Sequence, residues 1–124
     1  MLEIKNPVTG KRIEVAINDC EQQLELDQAK KYCERIGNNW RLPKIDELEL
    51  MHKELYNAGK GNFKSEFALA GDYWSDNEYS ELSQFSEDDG FVGAWFFNFK
   101  SGEGYADCSS HPFTKRWVRA VRNL

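Results

Sequence analysis

The sequence predicts a single α+β domain in which two helices pack against short antiparallel strands. Three observations carry this expectation. Two segments in the first half place apolar residues at three- and four-residue steps. From Tyr73 onward the chain reads as short alternating strands separated by turns. A length of 124 residues suits one domain.

The elements follow in order. Ile13, Val15 and Ile17 alternate with Glu14 and Ala16, the period of a half-buried strand. Asn6-Pro7-Val8-Thr9-Gly10 is turn chemistry, so residues 2–4 and 12–17 are expected to pair as a hairpin. A helix is expected over 27–36: Leu26, Ala29, Cys33 and Ile36 form one face, while Lys30, Lys31, Glu34 and Arg35 fill the other. Gly37 is its stop. Trp40-Arg41-Leu42-Pro43 breaks the chain, and a second helix is expected over 42–56. Its apolar face is Ile45, Leu48, Met51 or His52, and Leu55. Asp46 and Glu47 occupy its first turn, where the helix dipole favours acids. Residues 57–62, with Gly59 and Gly61, end it. The later strands are expected at 73–75, 94–100, 103–108 and 115–122, with a turn at Ser101-Gly102.

Composition narrows the function classes. With 40% hydrophobic residues, 4 Trp, 5 Tyr and 8 Phe, the chain can build a core without disulfide staples, since each ring buries about 150–250 Å². Disordered, collagen-like and coiled-coil classes are excluded. No apolar run approaches the roughly 20 residues of a membrane helix, so no membrane partner is expected. The balance of 16 basic to 21 acidic residues, net −5, is the reverse of a general nucleic-acid binder. Cys20, Cys33 and Cys108 are odd in number and show no C-x-x-C spacing. The start, Met1-Leu-Glu-Ile-Lys-Asn-Pro, lacks the basic and apolar stretches of a signal peptide. Free thiols and a cytoplasmic location are the expectation, although one disulfide plus one thiol fits the same count.

The least ordinary stretch is 76–90. Asp76, Glu78, Glu81, Glu87, Asp88 and Asp89 fall there with no Lys or Arg, and its low apolar content predicts a surface loop.

A set of motifs occurs in one order: Cys33, then Trp40-Arg41-Leu42-Pro43, Asp46-Glu47-Leu48, Tyr73-Trp74-Ser75 and Glu78-Tyr79. Ala94-Trp95-Phe96-Phe97-Asn98-Phe99, Gly102 and Val118-Arg119-Ala120-Val121-Arg122 complete it. Over nearly its whole length the chain resembles the bacterial Lcl C-terminal domain family, a family of unknown function similar in fold to C-type lectins. That family reads W-R-L-P-T-x-x-E-L, Y-W-S-S, A-W-x-x-N-F-x-x-G and V-R-C-V-R. The resemblance implies a C-type lectin-like fold with paired N- and C-terminal strands, two helices beside them, and a long irregular loop region bearing the ligand surface. Relatives are often exported or surface-located. There are departures. Lys44 stands where Thr or Ser is common, removing a helix-capping oxygen at a cost of about 1 kcal/mol. Asp76 replaces the second Ser of Y-W-S-S. Ala120 takes the place of the Cys that in many relatives bridges to the Cys33 position, so the resemblance implies that Cys33 is a buried free thiol facing a small residue.

A Cys108/His111 nucleophile and base pair lacks an orienting third group and an oxyanion loop, and His52 falls on a helix face, so no enzyme is expected. Formylglycine-generating enzymes share the broader fold but use cysteines near the chain's end; Cys108 alone does not reproduce that arrangement. Gly102-Glu103-Gly104 is too short for a phosphate loop or a dinucleotide fingerprint.

Calcium takes six to eight oxygens, which Asp76, Asn77, Glu78, Glu81, Glu87, Asp88 and Asp89 offer. Asp76, Glu78, Glu87, Asp88 and Asp89 are the candidate metal ligands. Against this stands a plain solvated acidic loop, and the calcium/sugar triplets of lectins (Glu-Pro-Asn and Trp-Asn-Asp) are missing. No cofactor is the expectation, with calcium as the alternative.

Trp95, Phe97 and Phe99 share one strand face, opposite Ala94, Phe96 and Asn98, and read as core, as do Trp40, Trp74 and Trp117. Tyr79, Phe85, Asp88, Asp89 and Phe91 are the candidate ligand contacts. Lys115 and Arg116 facing an anionic ligand such as a sulfated glycan is the lesser reading, against pairing within the domain. Arg41, Arg119 and Arg122 are expected to satisfy buried carbonyls or carboxylates. The functional expectation is a non-enzymatic binding module that presents 76–92 to a carbohydrate or a protein. The alternative is a cytoplasmic or phage-related interaction or regulatory protein on the same scaffold without sugar affinity, towards which the missing triplets lean.

Overall fold

The computed structural model describes residues 1–65, 71–78, 92–110 and 114–124. Two strands open the chain, β1 (Leu2–Lys5) and β2 (Arg12–Val15), paired antiparallel with Ile4 opposite Ile13. Asn6 makes the turn between them. Its Oδ1 accepts from the amides of Val8 (2.8 Å) and Thr9 (3.1 Å), and Gly10 supplies the left-handed backbone at φ 72°. The alternation stops being a ladder at Val15. Ile17, expected inside, is 64% exposed. The register with β6 runs on by one bond, from the Ala16 amide to the Ala120 carbonyl, and the chain then bends at 17–18, which turns Ile17 out.

Helix α1 (Leu26–Ile36) buries Ala29 and Cys33, the face that the three- and four-residue steps selected. The Glu25 amide donates to Gln28 Oε1 at its start, one half of a capping box. At its end Gly37, Asn38 and Asn39 all have positive φ (75°, 54° and 67°), a run that reverses the chain into Trp40.

Helix α2 (Ile45–Glu54) is shorter than the expected 42–56. Pro43 disfavours the helical region for Leu42, and Lys44 is extended at φ −83°, ψ 163°. Lys44 gives no side-chain cap, but Glu47 Oε1 accepts from its amide at 2.8 Å, so part of the capping role falls to the helix's third residue. After Leu55 the chain tightens into a single 3₁₀ turn, Tyr56–Ala58, closed by Gly59 at φ 73°. Of the two residues competing for the core, Met51 wins and is fully buried. His52 is half-buried, with its ring 5.0 Å from Tyr56 and 5.9 Å from Phe97 and Phe99. That ring fixes Gly102, whose φ is 72° and where a Cβ would lie 2.8 Å from the imidazole.

The second sheet has the order β3-β4-β5: β3 (Asp72–Glu78), β4 (Val92–Asn98) and β5 (Glu103–Ser110), all antiparallel. β3 is longer than the expected 73–75 and takes Asp76 and the backbone of Glu78 out of the expected loop. Asn98, expected on the outer face of β4, is buried and builds the next turn. Its Oδ1 accepts from the amides of Lys100 and Ser101 (2.9 and 3.0 Å), while its Nδ2 donates to Asp72 at 2.8 Å.

The expected strand at 115–122 is largely a seam. Only β6 (Val121–Asn123) joins a ladder, and it pairs with β2, giving the first sheet the order β1-β2-β6. The N- and C-terminal strands therefore flank β2 instead of pairing with each other. Before β6 the backbone bonds in turn to Leu24, to Asp72 and Trp74 of β3, and to Cys20 and Ala16. These bonds tie the two sheets together.

Two buried clusters result. One joins the first sheet, α2 and the second sheet through Ile4, Ile13, Leu48, Met51, Tyr73, Phe97 and Phe99. The other packs α1 on the seam through Ala29, Cys33, Trp74, Val118 and Ala120. Cys20 and Cys33 are buried and free, and Cys33 shares its cluster with Ala120. Burial pushes the Cys33 thiol up to about 12, so it stays protonated and unreactive near neutral pH. Leu48→Ala and Leu55→Ala should each cost about 2–5 kcal/mol in urea unfolding. Near-neutral results at both would contradict the burial of this helix face. No helix among the described residues is long and apolar enough to cross a membrane.

Candidate ligand-binding site

Most of the residues singled out for binding fall on 79–91. Tyr79, Phe85, Asp88, Asp89 and Phe91, together with the candidate metal ligand Glu87, lie outside the described residues. The structure does place the two ends of that segment. β3 delivers it through Glu78, and β4 receives it at Val92, with Glu78 opposite Ala94 across the ladder. The acid-rich stretch thus leaves and rejoins one end of the second sheet. Asp76, two residues before the strand's end, is exposed; its amide donates to the Pro43 carbonyl at 2.8 Å, and its Oδ2 lies 3.8 Å from Lys44 Nζ. Among the described residues no group of three or more His, Cys, Asp or Glu side chains is placed to hold a metal ion.

The start of α2 stands beside that sheet end. Lys44, Ile45, Asp46 and Glu49 face Trp95 of β4 across an open groove of about 530 Å³. Trp95 was expected in the core with Phe97 and Phe99. Those two are fully buried, whereas Trp95 is half-buried. Trp95 meets the first turn of α2 across the groove, whereas Phe97 and Phe99 lie in the cluster with Leu48 and Met51. The Trp95 carbonyl accepts from Ser75 Oγ at 2.6 Å, which ties the strand beneath the ring to the Y-W-S motif of β3.

An ion pair between half-buried Arg41 and buried Glu47 holds α2 in position. Arg41 Nη1 and Nη2 donate to the two carboxylate oxygens of Glu47 at 2.7 and 2.8 Å. Arg41 also reaches the Leu42 carbonyl and Asn123 Oδ1, which attaches the helix start to β6. Glu47 was read as a first-turn acid favoured by the dipole; nothing in its local pattern marked it as buried. Burial alone would raise its carboxyl, but the bonds from Arg41 and the Lys44 amide outweigh this and hold it below the ordinary range. The stabilisation from this depressed group is fully present above the ordinary carboxylate value and is lost as pH falls through the folded one. Asp72 acts in the opposite sense. Burial raises its carboxyl against the Asn98 hydrogen bond and the Arg116 charge, so its contribution fades as pH rises through its folded value. The Glu47 contribution should therefore be lost on acidification through its folded value, and Glu47→Gln should make stability less sensitive to acid in urea melts across pH. An unchanged slope would remove Glu47 from the account.

A second network lies behind the seam. Arg119 is fully buried and donates to Asp19 Oδ1 (2.8 Å) and to the carbonyls of Ala16 (3.1 Å) and Gly61 (2.6 Å). Its guanidinium also lies 4.2 Å from the Phe63 ring centre. Tyr73 OH donates to Asp19 Oδ2 at 2.7 Å and accepts from the Lys64 amide, and burial drives its pKa far above the ordinary phenol value. Nothing in the sequence pattern singles out Asp19. Arg122 bonds Glu14 at 2.7 Å and lies 5.0 Å from the Trp40 ring. Arg41, Arg119 and Arg122 thus satisfy carboxylates and carbonyls, as expected of them. Arg116 is 2% exposed between the rings of Trp74 (4.3 Å) and Phe96 (4.1 Å), which withdraws it from any anionic ligand; Lys115 is exposed. The Cys108 side chain and His111 lie outside the described residues.

Comparison with known protein families and with curated proteins finds no match.

Proposed function

We propose that this chain is a non-enzymatic binding module, cytoplasmic in location, whose ligand surface is the acidic stretch 76–92 together with the sheet end that carries it. One observation carries the reading. β3 and β4 hold both ends of a segment with six acids and no base beside a groove that offers a half-buried Trp and further carboxylates. One buried and one partly buried ion-pair network, with two packed cores, support this platform, the arrangement on which binding segments are commonly mounted. A C-type lectin-like fold of the Lcl C-terminal domain type is part of the same proposal. It is supported by the ordered motifs, by Asn98 and Ser75 serving as turn and strand ties within them, and by both terminal strands lying in one sheet. The ligand is a protein or a carbohydrate, and the missing sugar triplets favour a protein.

The segment 76–90 carries −6 while the remainder nets +1, so association is steered by charge and sensitive to salt. Charge mainly sets the on-rate, whereas desolvated rings set affinity, which makes Phe85, Phe91 and Tyr79 the anchors. Glycan and peptide arrays, each probed with calcium and with chelator, identify the ligand class. Against the strongest ligand found, Phe85→Ala should weaken binding by about thirtyfold or more, the scale of a hot spot. Asp88→Ala should mainly slow association at low salt. The opposite order, or no effect from either change in surface plasmon resonance, would show that the stretch is not the binding face.

A further inference from the structure

We propose that β1, the open edge of the first sheet, pairs antiparallel with β1 of a second copy of this chain about a two-fold axis at Ile4. Glu3 of each copy then stands opposite Lys5 of the other. The pairing is independent of the acidic stretch.

The hydrogen-bond phase of the hairpin decides which backbone groups face outward. The Asn6 amide donates to the Lys11 carbonyl at 2.9 Å, so the bond-exchanging positions of the ladder are Ile4 with Ile13 and Leu2 with Val15. The far side of β2 agrees. The Arg12 carbonyl accepts from the Leu124 amide and the Ala16 amide donates to the Ala120 carbonyl, so Arg12, Glu14 and Ala16 turn to β6. The N–H and C=O groups of Glu3 and Lys5 therefore point away from β2, on the side where β1 has no strand neighbour. No hydrogen bond joins these groups to another part of the chain among the described residues. Such an edge is a template for a further strand.

The occupant follows from charge. A lysine commonly protects an edge strand, because it disfavours pairing with another chain. Glu3 cancels that protection. Glu3 and Lys5 lie on one face of β1, on either side of Ile4, which points into the core. An antiparallel pair centred on Ile4 makes both Glu3–Lys5 positions bond-exchanging and sets opposite charges directly across the edge at each. Within its own hairpin Lys5 stands opposite Arg12, a like charge, and it has no acidic partner among the described residues. Arg12 meets Glu3 Oε1 at 2.7 Å, which leaves Oε2 for the ammonium of the second copy. The same register brings Met1, 75% exposed, towards the turn of the other copy that carries Val8, 91% exposed. A foreign strand gains the same backbone bonds without this match of charge. A contact confined to one short strand is smaller than a standard interface, so the dimer is a weak one.

Sedimentation velocity and ¹⁵N NMR of the full chain over about 10 μM to 1 mM test the pairing. The mass should rise from monomer towards dimer with concentration. The amide signals of Glu3 and Lys5 should move, while those of Leu2 and Ile4, already bonded to β2, should move little. Glu3→Lys and Lys5→Glu should each weaken association about tenfold or more, since either change sets like charges at both symmetric positions. Mixing the two variants restores opposite charges across the edge and should recover association to near the parent's level. The double variant, Glu3→Lys with Lys5→Glu in one chain, should do the same. Thermal unfolding of each variant confirms that it folds, and the double variant serves where a single one does not. The inference is overturned if the parent stays monomeric at about 1 mM, or if the single changes leave association unchanged. It is equally overturned if neither the mixture nor the double variant recovers association. An edge that takes up a foreign β-strand peptide while the parent stays monomeric gives the strand a different occupant and overturns it too.

Discussion

Arg119→Met should lower the unfolding free energy by about 3–5 kcal/mol, the range seen when one partner of a buried ion pair is removed. The methionine keeps most of the apolar stem, so the loss isolates the charge. What remains is an Asp19 carboxylate beside the Tyr73 hydroxyl with no cation, and the Ala16 and Gly61 carbonyls without their donor. The loss is also spread widely. Asp19 precedes α1, Gly61 follows the 3₁₀ turn, and Arg119 belongs to the seam, so a single side chain joins three stretches of chain that are remote in sequence. Pairing the change with Asp19→Leu should recover much of the deficit, because removing both charges leaves no buried ion uncompensated. Urea unfolding of the two variants measures both effects. A cost below about 1 kcal/mol for the single change, the scale of an exposed pair, would show that the network does not hold the fold together.

Trp74→Ala should cost a similar 3–5 kcal/mol or somewhat more. This side chain fills the second cluster between α1 and the seam, donates its indole N–H to the Leu24 carbonyl at 2.7 Å, and covers one face of the buried Arg116 guanidinium. Alanine opens a cavity and also uncovers a charge. Trp74→Phe separates the terms. It keeps a ring over Arg116 and leaves Leu24 its bond from the Arg116 amide, so its cost should be about 1–3 kcal/mol. Equal losses for the two variants would mean that the hydrogen bond and not the ring carries the site.

Local signals were enough for the hairpin and for α1. Ile4, Ile13 and Val15 alternate into the core, and Ala29 and Cys33 mark the buried face of α1, although Ile36, expected on that face, is 41% exposed in the helix's last turn. Pattern fails where the partner is distant. At 114–120 a strand-like text has its hydrogen bonds divided among four other segments, so no ladder forms. Ile17 continues the alternation on paper but leaves the core because the chain bends at 17–18, after the last bond in register from Ala16 to Ala120. Periodicity also gives direction without depth. It puts Trp95 on the face of Phe97 and Phe99 but does not show that Trp95 lies at a groove beside the start of α2 while the other two join the core. Asp19 and Glu47 were opaque for a related reason. A carboxylate in a turn or a first helical turn looks the same whether it meets water or a buried arginine 100 residues away, as Asp19 does.

The central claim is that binding resides on the acidic stretch and that the rest is its platform. Its most direct measurement replaces residues 79–91 with a short Gly/Ser linker and compares the variant with the parent on the same glycan and peptide arrays, alongside thermal unfolding. The account predicts that the linker variant keeps a cooperative transition near the parent's midpoint and loses the signals the parent gives. A folded linker variant that retains those signals would contradict it.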